Sequence, residues 1–165
     1  MAVTKLEQSA RLKRNEEKWS PALMDAGWTV FPSIILEKQQ ALGLDAIDVN
    51  ILMQLARHWW RNDNPPHPSK KAIAQCIDVD PSTVRRHIAR MEAVGFIRRE
   101  PRFSTKMGGG QIQNAYHFTG LIESAKPFAK EFIALREKQR GENAARTRRK
   151  KVNLAVVPPP SEKNK

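Results

Sequence analysis

Cysteine is all but missing from this chain of 165 residues, and so are the constellations from which most active sites are built. The lone Cys76 excludes an internal disulfide and fits a reducing compartment. Four histidines (His58, His67, His87 and His117) are scattered, and no paired-cysteine spacing of a metal site occurs. Neither a nucleophile elbow nor a phosphate loop ending in Lys-Ser/Thr is present. Acidic residues number 17 and fall mostly at helix caps, which leaves few carboxylates for acid–base work. We therefore expect no catalytic residues, no cofactor and no metal. No stretch approaches the roughly 20 consecutive apolar residues of a membrane span. The first residues (MAVTKLEQSARLKRNEEKW) carry charge where a signal peptide needs its apolar segment, so the expected location is the cytoplasm, with no membrane partner.

What the chain has in excess is positive charge. Lys and Arg total 29, for a net charge of +12 and a pI near 10.3, a balance that favours polyanions. The excess is unevenly spread. Residues 1–120 hold 17 basic and 12 acidic residues, whereas residues 121–165 hold 12 and 5. More than half of the net charge thus lies in the last quarter.

Along the chain, residues 1–18 are too polar to bury much and read as a mobile arm. Trp19 to Ile35 is apolar and interrupted by Pro21, Gly27 and Pro32, with a helical turn or two expected from Ile34 to Gln40. Trp28 and Phe31 are expected as core anchors; a nucleic-acid stacking platform is the alternative, disfavoured because no basic residue is interleaved with them. Asp45, with Asp48 three places on, predicts a capped helix whose buried stripe is Ile47, Ile51, Leu55 and Trp59, widened by Leu52 and Ala56. Asn62 to Pro68 is a loop.

Ser69 then caps a short helix, Lys70 to Ile77, with Ile73, Ala74 and Ile77 inward and Cys76 packed beside them. Asp78 is a turn residue, since Asp tolerates the left-handed conformation better than most. Asp80 caps a second helix with Pro81 at its first position. Its buried face is Val84, Ile88 and Met91, with Val94 or Gly95 next in line. Its other face shows Ser82, Thr83, Arg85, Arg86, Ala89 and Arg90, and Glu92 is the one acid past the cap. An ordinary solvated face mixes acids with bases, and this one does not. Gly95 ends the helix. Arg98, Arg99, Arg102 and Lys106 flank Phe103 in an extended segment, residues 107–110 form a glycine tip, and Gln111 to Phe118 alternates like a returning strand. From Gly120 a last helix carries Leu121, Ile122, Ala125, Phe128, Phe132 and Leu135, and residues 136–165 read as a basic, largely disordered tail.

Ser69 to Ile97 resembles the helix-turn-helix of the winged-helix superfamily: a serine-capped helix containing Ala74, then Thr83-Val84-x-Arg86, then Glu92-Ala93-Val94-Gly95-Phe96-Ile97. The longer stretch from Gly27 to about Phe132, with Gln39-Gln40-Ala41-Leu42-Gly43-Leu44 and Leu55-Ala56-Arg57-His58-Trp59-Trp60, is similar to helix-turn-helix proteins of bacteria, phages and plasmids. Those include transcriptional regulators and the DNA-binding domains of replication initiators. Two features depart from the pattern: Asp78 stands where a glycine is usual, and the triple glycine loosens the wing tip.

The resemblance implies a fold that is mainly α with a small β-ribbon, a winged helix-turn-helix over residues 19–135 with a C-terminal helix. It implies a double-stranded DNA partner, read in the major groove by the helix from 81 to 94 through Ser82, Thr83, Arg85, Arg86 and Arg90. Ser69, Lys70 and Lys71 would meet phosphates, as would Arg98, Arg99, Arg102 and Lys106 on the wing. Transcription regulation, with the protein on the nucleoid when bound, is the expected role. Replication initiation and a protein-interaction module are the alternatives, and the C-terminal helix offers a face for a homodimer.

Overall fold

Three short polar side chains start the helices that carry this fold. The Asp45 carboxylate accepts the backbone N–H of Asp48, while the Asp48 carboxylate accepts that of Asp45, both at 2.9 Å. Ser69 Oγ accepts the N–H of Ala72 at 3.0 Å, and Asp80 Oδ1 that of Ser82 at 2.7 Å. Each bond satisfies a donor that the first helical turn leaves unpaired.

The structure, a computed structural model, describes residues 13–105 and 109–148. Helix α1 covers 13–19, followed by α2 (Pro21–Asp25), α3 (Ser33–Glu37), α4 (Ala46–Ala56), α5 (Lys70–Ile77) and α6 (Pro81–Ala93). Strands β1 (Arg98–Glu100) and β2 (Ala115–His117) come next, and α7 (Thr119–Thr147) closes the order. The fold is therefore mainly helical with a small two-stranded antiparallel sheet. The chain divides into two units, 1–128 and 129–165.

In the first unit, α4, α5 and α6 pack on one another around Ile51, Leu52, Leu55, Ile73, Val84, Ile88 and Met91, all buried. Fully burying such a side chain contributes about 1.5–3 kcal/mol. Trp59 and Phe118 stack at 5.1 Å between ring centroids on the margin of this core. Asp78 turns the chain from α5 to α6 with φ 52° and ψ 53°, the left-handed conformation expected of it. At the far end of α6, Gly95 has φ 79°, and the Phe96 N–H reaches back to the Met91 carbonyl at 2.9 Å. That bond closes the helix and sends Phe96 and Ile97 inward.

The sheet pairs Arg98 with His117, Arg99 with Tyr116 and Glu100 with Ala115. A further bridge joins Phe103 to Gln111, but regular pairing on the return covers only Ala115–His117 and not the whole run from Gln111. The outer edge of β2 meets the proline loop: the Tyr116 N–H donates to the Pro66 carbonyl at 2.9 Å. That contact occupies an edge that would otherwise be open.

Some side chains depart from the expected core. Trp28 is 43% exposed because its extended segment runs along the surface against Trp59 and Trp60; only Phe31 of that pair packs on the core. Cys76 is exposed, since it lies two residues past Ala74 and so on the opposite side of α5. Val94 is 60% exposed because the glycine turn brings in Phe96 in its place. Ile122 is also exposed, while Leu121 and Ala125 hold the inward face.

Of the segment read as a basic tail, residues 136–147 belong to α7 and are exposed, consistent with their strong helix formers and lack of an apolar stripe. Residues 149–165 lie outside the described residues, as do residues 1–12 of the arm.

The first turn of α7 sits tightly against the turn after α6. The Leu121 N–H donates to the Phe96 carbonyl at 2.9 Å, and a Cβ added at Gly120 would lie 1.7 Å from the Gly95 carbonyl oxygen. Gly120→Ala should therefore lower the stability of the first unit by about 1–3 kcal/mol or more in urea unfolding. Gly141→Ala, with nothing within 4 Å of the new methyl, should raise helicity by circular dichroism and stabilise its helix by about 0.5–1 kcal/mol. Equal, small effects at the two positions would contradict this packing.

Candidate nucleic-acid interface

With about 100° between successive residues, α6 divides into four stripes. Val84, Ile88 and Met91 face the core. Ser82, Arg85, Arg86 and Ala89 are exposed on the outward side. Arg90 and His87 lie along one flank, Glu92 along the other.

The first flank is tied to α4 through a buried carboxylate. Asp48 has no solvent exposure, and its Oδ1 lies 2.8 Å from His87 Nδ1, itself buried. A carboxylate at that distance fixes the proton on Nδ1. Arg90 donates to Asp45 Oδ2 at 3.0 Å and also pairs with Asp48. Asp48 thus answers three groups: the Asp45 backbone, the His87 imidazole and the Arg90 guanidinium. Ligand atoms of Asp45, Asp48 and His87 lie within 4.8 Å of one another, spacing that a metal ion could use. A metal would have to displace the guanidinium that already neutralises both carboxylates, so the cluster reads as a brace between helices.

The second flank is tied to β1. Glu92 accepts the backbone N–H of Arg99 at 3.1 Å and its Nε at 2.7 Å, and it also takes the Nη2 of the same side chain. That hydrogen-bonded guanidinium holds the Glu92 carboxyl below the ordinary glutamate range and pushes Arg99 up. Lys70 is lowered by burial first, then by Arg99 and Arg85. Three cations thus share this corner, and Glu92 is paired to one of them.

The residues singled out from sequence fall into distinct groups. Lys71, Arg85 and Arg86 are exposed and have no salt-bridge partner among the described residues. Ser82 is exposed, and its hydroxyl and N–H both turn to Asp80, holding that carboxyl low. Thr83 is half-buried. Ser69 is half-buried with its oxygen committed to the cap, and Lys70 stands beside it at a cleft of about 340 Å³ whose other wall is Gln111, Gln113 and Asn114. Arg98 is exposed, 3.5 Å from Glu100. Arg102 is half-buried in the ribbon, where its carbonyl accepts the Ile112 N–H at 2.9 Å. Lys106 lies outside the described residues.

Arg90 and Arg99, expected to meet DNA, are partly exposed and form ion pairs within the protein. The brace residues Asp45, Asp48 and His87 escaped sequence reasoning as a group. The spacing of the two aspartates signalled only a cap, and nothing local links Asp48 to a histidine 39 residues on.

No family model and no curated protein matches this sequence. The reading of the interface rests on its own geometry.

Removing Asp48 takes away the 2.8 Å partner of His87 and leaves Arg90 with Asp45 alone. Asp48→Ala should cost about 3–5 kcal/mol of stability, the range for breaking a buried pair at one end. Arg90→Ala removes a side chain that is 46% exposed and should cost only about 0.2–1 kcal/mol. Urea unfolding of the two variants checks the ordering, and comparable losses would contradict the central role of Asp48.

Proposed function

We propose that this chain binds double-stranded DNA as a winged helix-turn-helix protein and acts as a sequence-specific transcriptional regulator. In this reading α5 and α6 form the helix-turn-helix, α6 enters the major groove, and the β1–β2 ribbon is the wing. The observation that carries the proposal is the outward stripe of α6. Ser82, Arg85, Arg86 and Ala89 are exposed, Arg85 and Arg86 lack salt-bridge partners among the described residues, and the small side chains leave room for close approach. Arginine pairs bidentately with guanine N7 and O6, a contact worth about 1–3 kcal/mol of discrimination.

Around that stripe the cations suit the phosphate backbone. Lys71 lies on α5, Arg98 and Arg102 on the ribbon, and Lys70 faces the cleft beside Gln111, Gln113 and Asn114. Such contacts position the protein and add affinity without selecting sequence. A helix oriented rigidly by ion pairs on both flanks is the property a sequence reader needs, because base-edge contacts tolerate little angular error.

Anisotropy titrations of a labelled mixed-sequence duplex against salt test this directly. Affinity should fall linearly in a log–log plot, and Lys71→Ala, Arg98→Ala or Arg102→Ala should each reduce the slope by about one. Arg90→Ala should leave the slope unchanged, because its guanidinium is committed to Asp45 and Asp48. No duplex binding, or a slope that Arg102→Ala does not move while Arg90→Ala does, would overturn the proposal.

A further inference from the structure

The fold leaves a second set of side chains without a role in duplex reading. Trp60 is 71% exposed, Val30 73% and Trp28 43%. They border an open groove of about 300 Å³ lined by Trp28, Thr29, Val30, Arg57, Trp59 and Trp60. Exposed aromatics gathered in one place mark a binding surface more often than a tolerated accident. Trp59 is held in position by its stack on Phe118, so one wall of the groove is fixed.

The charge of the groove narrows the choice of occupant. No carboxylate lines it. Among the described residues Arg57 bonds to neutral groups, Gln54 Oε1 at 3.0 Å and Cys76 Sγ at 3.7 Å, and has no salt bridge, so none of them offsets its charge there. Nearby Asp63 is closed in a bidentate pair with Arg61 at 3.0 and 2.8 Å. His58 is held below the ordinary histidine value by burial and then by Arg57 and His67, as befits a locally cationic surface. Indole faces beside an uncompensated guanidinium match a ligand that is planar, aromatic and anionic at once. Proline-rich peptides also dock on tryptophan grooves, but they offer no anion to Arg57.

We propose that this groove binds unpaired bases of a single-stranded nucleic acid, which stack on Trp28 and Trp60 while Arg57 meets the intervening phosphate. Stacking of this kind tolerates any base, because every base has a π-face. The site is built from other residues than the stripe on α6 and does not rest on the duplex reading.

Titrating the full chain with a short oligothymidylate, followed by indole fluorescence and by anisotropy of the labelled oligonucleotide, tests the assignment. Binding should quench the fluorescence. Trp60→Ala should weaken it about tenfold or more, within the range of a lost base stack, and Trp60→Phe should restore most of the affinity. Both variants should keep the wild-type affinity for a duplex, and the exposure of Trp60 makes the fold insensitive to either change. Equal oligothymidylate affinity in wild type and Trp60→Ala would overturn the proposal by assigning the binding to the basic surface elsewhere. A parallel loss on duplex would overturn it by merging the two sites. Quenching by a proline-rich peptide with none by oligothymidylate would overturn it in favour of a peptide groove.

Discussion

The carboxylate of Asp48 closes the N-terminus of α4 and also grips α6 through His87 and Arg90, and the direction in which α6 presents its arginines follows from that double attachment. A helix packed only by Val84, Ile88 and Met91 could rotate by a fraction of a turn at modest cost, since apolar contacts are not directional. A buried carboxylate permits no such slack. Its oxygens must keep their donors, and displacing either helix would leave a charge stranded out of water.

The ion pairs also sort the positive charge of α6 and β1 into two kinds. Arg90 and Arg99 are spent on holding α6 to α4 and to β1. Arg85 and Arg86 lie exposed on the outward side of α6. Net charge alone would treat these four as equivalent. Their pairing within the fold separates them: Arg90 and Arg99 are partly exposed but ion-paired, whereas Arg85 and Arg86 have no salt bridge among the described residues. The same logic sets Arg57 apart beside the tryptophan groove, where its hydrogen-bond partners among the described residues are neutral.

What was legible in the sequence was local. Asp45, Ser69 and Asp80 announce helix starts because a cap acts on residues two or three places away. The spacing of Val84, Ile88 and Met91 gives the buried face of α6 for the same reason, and Asp78 marks its turn. Contacts between distant elements were not legible. Asp48 and His87 stand 39 residues apart, and each alone looks like a cap partner or a stray histidine. Glu92 was visible as the one acid of its helix, but not as the anchor for Arg99 on the next strand. For Trp28 the favoured core position gave way to an exposed one, because hydrophobicity favours burial without saying which face of an irregular segment will be covered. The tryptophan groove depends on bringing residues 28–30 beside 57–60, an adjacency that only the fold supplies.

The central claim is that α6 reads DNA sequence through Arg86 and its neighbours while the paired arginines hold it in place. Selecting bound duplexes from a random pool with wild type and with Arg86→Ala in parallel tests this most directly. The wild type should enrich a short motif with a fixed guanine, and the variant should enrich the same motif with that position degenerate. The absence of any motif from the wild type, or an identical motif from both proteins, would contradict the account.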